Sequence, residues 1–303
     1  GPALGALALL WLAARLAALT GPTLLYALLD VALLPLIAGI FANLLWRAKS
    51  YRNLPLALIL TLLALTNGVF HLAALGVLNV PAMAALHAAL GLIIMIECVI
   101  AGRVVPAFTM SALPGLRIQV PIYLERLTLG MSALGLLCWL FAPAGVWGFL
   151  VLALAAALHA KRAWAWRPWL ALHKPILWVL HLAYWWIPLG LLLLGLAQLA
   201  WVPVSAGVHA LAVGATGGLI IGMVTRTARG HTGRALAVSG FEVVAYVLVT
   251  GSAVLRVLVP MFLPTFYSTA LALAAGAWSL AFLIYLWIFS PWLMRTRLDG
   301  KDG

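Results

Sequence analysis

Residues 175–200 read PILWVLHLAYWWIPLGLLLLGLAQLA. The run holds no Asp, Glu, Lys or Arg, and only His181 and Gln198 are strongly polar. A helix needs ~20 predominantly apolar residues to cross the hydrocarbon core of a bilayer, so this run predicts one complete span. Membrane barrels use short strands that alternate apolar and polar positions. Here the apolar residues are continuous and do not alternate. Lipid offers no partner to backbone N–H and C=O groups, which leaves the helix as the solution.

Working outward, the rest of the chain repeats this pattern. Of its 303 residues 66% are hydrophobic and only 8% charged, with a mean hydropathy of +1.16. Soluble domains carry about 25% charged residues, so too few charges are present to coat a water-exposed globule. Spans are predicted near 3–20, 22–46, 54–78, 82–102, 121–142, 144–160, 175–200, 206–225, 237–259 and 266–290. Breaks fall on turn chemistry, as at Thr20-Gly21-Pro22, Asn79-Val80-Pro81, Ala142-Pro143-Ala144-Gly145 and Pro260 to Pro264. The fold class is all-α, a polytopic transmembrane helix bundle of about 10 spans, read as a single domain over 1–303.

The charges supply an independent check. All but Arg15 and Arg256 of the eighteen Lys and Arg residues fall in alternate loops or the tail, and the loops between them carry none. One missed helix would break this alternation. The positive-inside rule makes the charged side cytoplasmic, with both ends of the chain there. The net charge of +12 therefore reflects membrane orientation and not nucleic-acid binding. Cys98 and Cys138 each sit in an apolar run without CxxC spacing, which excludes a disulfide framework or a zinc site of that kind. Trp164, Trp166, Trp169 and Trp178 read as interfacial anchors.

Imidazoles inside spans point to chemistry. At ~1.5 Å per residue, His71, His87 and His209 fall within ~5–10 Å of the outer boundary, on three different helices. His181 and Glu97 lie at inner depth, His159 at the inner end of the sixth span, and His173 and His231 in cytoplasmic loops. Polar groups in hydrocarbon usually face the bundle interior and mark ion paths or cofactors, and imidazole is a common ligand of copper and haem iron. One such His can be a helix–helix hydrogen bond; three at one depth predict a ligand site for at least two. Gly68 and Gly91, each about one turn from His71 and His87, leave room for a flat cofactor or simply for close packing. Asn67 is placed to hydrogen-bond near His71. Arg15 and Asp30, at similar depth on the first two spans, predict a structural ion pair. Glu97 reads as a partner of Arg103, a protonated acid or part of a proton route.

Ala210, Gly214, Gly218 and Gly222 repeat every four residues, a stripe that lets another helix approach closely. The chain continues through Thr225-Arg226-Thr227-Ala228-Arg229-Gly230-His231-Thr232-Gly233-Arg234. Such a segment reads as a basic juxtamembrane loop or as a grip for an anion such as a phosphate or a propionate.

The run from His209 to Arg234, HALAVGATGGLIIGMVTRTARGHTGR, resembles the signature of the NnrS family of bacterial membrane proteins. The stretch Gly102-Arg103-Val104-Val105-Pro106-Ala107-Phe108-Thr109 and the segment around His173, Lys174, Pro175 and His181 agree with it. The resemblance implies a multi-pass protein of the bacterial cytoplasmic (inner) membrane that carries haem b and copper and takes part in nitric oxide metabolism or nitrosative-stress resistance. It also implies an earlier helix pair before residue 1, in keeping with a chain that does not begin with Met. His71, His87, His173, His181, His209 and His231 match the family pattern; His159 lies outside the matching stretches.

The candidates that follow are His71, His87, His181 and His209 as metal ligands, with His231, Arg103 and Arg226 added as cofactor contacts. Nitric oxide is the implied small-molecule ligand and the lipid bilayer the surrounding partner. A haem-bound sensor without turnover is a second reading. A secondary transporter or metal exporter using intramembrane His and acids is a third, weakened by the lack of a clear internal repeat.

Overall fold

A computed structural model describes residues 2–298 and 300. Ten helices in it are long and apolar enough to cross a membrane, and no strand occurs among the described residues. They are α1 (Pro2–Thr20), α2 (Thr23–Arg47), α3 (Leu54–Ala74), α4 (Ala82–Ala112), α5 (Ile122–Phe141), α6 (Val146–Ala165), α7 (Pro175–Gln198), α8 (Val204–His231), α9 (Gly240–Phe262) and α10 (Tyr267–Leu293). The all-α transmembrane reading and its span count are borne out.

Three boundaries differ in ways that matter. α4 continues ten residues past Gly102, through Pro106, to Ala112. Its end is fixed by packing: Phe108 and Ala112 rest against a buried cluster of Ala171, Ile176 and Leu177. α6 runs on to Ala165, which moves Arg162 out of the predicted loop and into the helix. α8 extends to His231 and is not a uniform α-helix, since Ala210–Gly217 is π-helical, with i→i+5 bonding.

The described residues form two compact units, one up to Ile96 and one from Glu97 onward. In the first, α1 packs on α2 and α2 on α3. An open apolar groove of about 730 Å³ runs between α2 and α3, with Pro35, Ala38 and Gly39 on one wall and Thr61, Ala64 and Gly68 on the other. In the second, α5 packs on α6 and α6 on α7, α7 packs along α8, and α9 contacts both α8 and α10. α7 is the buried axis of this unit, with Leu180, Tyr184, Ile187, Leu191 and Leu194 almost wholly enclosed.

The predicted glycine stripe explains why α7 and α8 lie so close. A Cβ added at Gly207, Gly214, Gly218 or Gly222 would run into Leu194, Trp186, Ala183 or Leu180, all on α7. Inside a bilayer, helix association rests on close packing more than on apolar burial, because lipid tails are as apolar as Leu. Small residues at the seam supply that contact.

Candidate functional site

The best-enclosed polar cluster lies in the second unit, where four helices converge. α5 presents Glu125, Thr128 and Ser132 along one face, α6 presents His159 and Arg162 one turn apart, α7 brings Tyr184, and α4 brings Cys98 and Gly102. His159, Tyr184, Ser132 and Cys98 are fully buried and Arg162 is 1% exposed. Arg162 donates to both carboxylate oxygens of Glu125, at 3.0 and 2.5 Å. Its Nη1 also donates to the Tyr184 hydroxyl and to the Cys98 carbonyl oxygen, each at 3.0 Å.

The remaining bonds have a direction. Ser132 donates its hydroxyl proton to the Thr128 carbonyl at 2.7 Å, so its oxygen accepts from His159 Nε2, also at 2.7 Å. His159 Nδ1 is then the acceptor for the Tyr184 hydroxyl at 2.6 Å. The Cys98 thiol lies 3.6 Å from Nε2. His159 is therefore a neutral imidazole with both ring nitrogens committed, and it has none to give a metal. The cluster is a closed lock among α4, α5, α6 and α7.

Sequence reasoning passed over this lock. In the sequence His159 lies outside the matching stretches, Arg162 falls with the loop cations, and Trp166 reads as an interfacial anchor. Instead Trp166 is fully buried, with its ring centre 4.4 Å from that of Tyr184. The usable signal was the spacing of Glu125, Thr128 and Ser132, and of His159 and Arg162, at helical intervals in apolar helices.

Gly102 makes the lock possible, because any Cβ there would overlap the Arg162 guanidinium. Gly102→Ala should push Arg162 off its partners and lower stability by about 1–2 kcal/mol. Thermal unfolding in detergent checks this; an unchanged midpoint would show that the guanidinium has another seat.

The first unit holds a different arrangement. Asp30 on α2 pairs with Arg15 on α1, as predicted. Its other oxygen lies 2.9 Å from His71 Nε2 on α3. Asn67 donates to the Asp30 carbonyl at 3.3 Å, bracing the residue that holds His71. His71 is 3% exposed and is boxed edge-on by Tyr26 and Phe70, at 4.8 and 5.2 Å between ring centres. Among the described residues its Nδ1 has no hydrogen-bond partner.

His181 repeats this pattern in the second unit. Thr109 on α4 donates to the Val105 carbonyl at 2.9 Å, so it accepts from His181 Nε2 at 2.9 Å and leaves Nδ1 free among the described residues. His209 Nδ1 donates to the Ser205 carbonyl at 2.6 Å, which leaves Nε2. His87 is half-buried on α4, and Arg103, His173 and His231 are exposed. Glu97 is half-buried and its Oε2 has no hydrogen-bond partner among the described residues. No group of three or more His, Cys, Asp or Glu side chains able to hold a metal occurs among the described residues. A haem needs only one or two axial imidazoles, and the donor atoms left on His71, His181 and His209 are of the right kind.

The basic segment at the end of α8 divides in two. Arg229 is bound by Glu242 on α9 through two bonds of 2.7 and 2.5 Å. Glu242 also accepts from the Ser239 amide at 2.6 Å, capping α9. Arg229 is thus structural. Arg226 instead lies over the Phe108 ring, 3.8 Å from its centre.

A family model described as NnrS protein matches residues 1–297, nearly the whole chain. Neither the search of curated proteins nor that of solved structures gave a match.

Proposed function

The chain belongs to the NnrS family, and from that premise we propose that it is a haem- and copper-binding integral membrane protein of the bacterial nitric oxide response. We place it in the cytoplasmic membrane, with its basic loops on the cytoplasmic side. One observation within the chain supports the cofactors. The enclosed imidazoles of His71 and His181 each have one ring nitrogen fixed by a neighbour and the other left available. Ligating histidines commonly have this form, because the fixed nitrogen sets both tautomer and ring direction.

In this reading His71 and His87 are metal ligands of the first unit, and His181 and His209 are metal ligands of the second. Arg103 on α4, and Arg226 and His231 in the last turns of α8, are the cofactor contacts. Haem iron supplies a redox centre that binds nitric oxide, and copper suits the remaining imidazoles. Nitric oxide is small and apolar, so lipid is an open route to a buried site. Asp30 is a positioning residue: its carboxylate holds the His71 ring and fixes its direction.

Visible spectra and metal analysis of protein purified with haem supplied test the reading. A Soret band and bound copper are expected. His71→Ala and His87→Ala should alter the spectrum or the metal content, and Asp30→Asn should weaken binding by about 10- to 100-fold. His159→Ala should leave both unchanged in whatever protein folds. A preparation with no Soret band, or equal effects from His87→Ala and His159→Ala, would overturn it.

A further inference from the structure

Three arginines in the second unit are buried within the bundle: Arg162, Arg226 and Arg229. Arg162 has Glu125 and Arg229 has Glu242. Arg226 is 8% exposed, and no carboxylate lies within ion-pair distance of it among the described residues. Its partner is the face of Phe108, 3.8 Å from the guanidinium carbon. A stacked ring lowers the cost of removing a cation from water but does not neutralise it.

One further cation lies at the end of the helix that carries Phe108. Lys174 donates to the Ala112 carbonyl at 2.7 Å, at the end of the same helix that carries Phe108. Thr109, next to Phe108, holds His181. Phe108 cannot turn aside easily, because it is packed against Ala171, Ile176 and Leu177. The guanidinium therefore rests on a fixed platform and lacks a counter-charge among the described residues.

We propose that Arg226 and Phe108 form a binding site for an oxyanion supplied from outside the polypeptide. A guanidinium flat on a ring keeps its edge N–H groups free, and these match a carboxylate or phosphate in a two-point bond. Two sources carry that chemistry at this end of the helices: the phosphate of an anionic phospholipid and a carboxylate of a bound cofactor. Only the second source rests on the function proposed above.

The test compares the parent with Arg226→Met and Arg226→Lys in nanodiscs. One lipid is zwitterionic phosphatidylcholine and the other contains phosphatidylglycerol, each with and without haem supplied. Without an anion the parent carries an uncompensated buried charge, so Arg226→Met should melt at a higher temperature than the parent in phosphatidylcholine without haem. If lipid phosphate fills the site, phosphatidylglycerol should raise the parent's midpoint, leave Arg226→Met unmoved and give Arg226→Lys a smaller shift. If a cofactor carboxylate fills it, haem retention should fall in Arg226→Met and the lipid shift should be absent. Either result supports the site. If Arg226→Met is less stable than the parent under every condition, with no change in lipid response or haem retention, then Arg226 is only a packing cation and the proposal fails. A Soret band persisting through that result would leave the haem reading standing.

Discussion

Glu125→Ala should remove most of the stability of the second unit. The substitution leaves Arg162, 1% exposed, without the carboxylate that accepts two of its bonds. Removing one partner of a buried pair costs about 3–5 kcal/mol, because the surviving charge stays buried. A reduced yield of monodisperse protein and a lowered unfolding midpoint in detergent are the expected readouts. The double variant Glu125→Leu with Arg162→Met should recover much of the loss, since apolar side chains of similar volume often replace a buried pair at no net cost. Tyr184 keeps His159 as its acceptor in that variant. A single variant as stable as the parent would mean that Arg162 does not depend on Glu125.

Gly214→Val should be nearly as damaging, for a steric reason. The added Cβ would overlap the indole of Trp186, which is 7% exposed and has little room to move. Overpacking of this kind costs about 3 kcal/mol or more when neither side can yield. The α7–α8 seam would have to open, and the contacts at Gly218 and Gly222 would loosen with it. Trp186→Ala should partly rescue Gly214→Val, because the two residues share one space. Unfolding midpoints of the single and double variants, compared as a cycle, provide the check; simple additivity would remove the seam from the explanation.

Much of this architecture is legible in the sequence alone. Long uncharged runs and alternating basic loops are one-dimensional signals, and they yielded ten helices and their order. The Arg15–Asp30 pair was legible too, because two opposite charges at one depth in lipid have few other choices. The glycine stripe on α8 was read correctly as a packing face. What stayed hidden depends on three dimensions. Glu125, His159 and Arg162 each lie within about a turn or two of a predicted helix end, where charge is ordinary. Only the extra turn of α6 and the approach of α4 and α7 turn them into one enclosed cluster. The candidate site was legible in its residue types and not in their bonding. Nothing in the sequence says that His159 spends both nitrogens while His71 and His181 each spend one.

The π-helical stretch of α8 sets a bearing. Its looser coil holds more residues per turn than the α-helical parts on either side, so His209 before it and Arg226 after it are out of phase with any count by 3.6. In ordinary helix each residue is worth about 100° of rotation. Loss of one residue between 210 and 217 would let the coil tighten to ordinary helix, and that tightening would absorb the loss instead of swinging the upstream turns by roughly that angle. The imidazole and the guanidinium would both keep their headings, so the compass of α8 lies in eight uncharged residues that can give up one of their number.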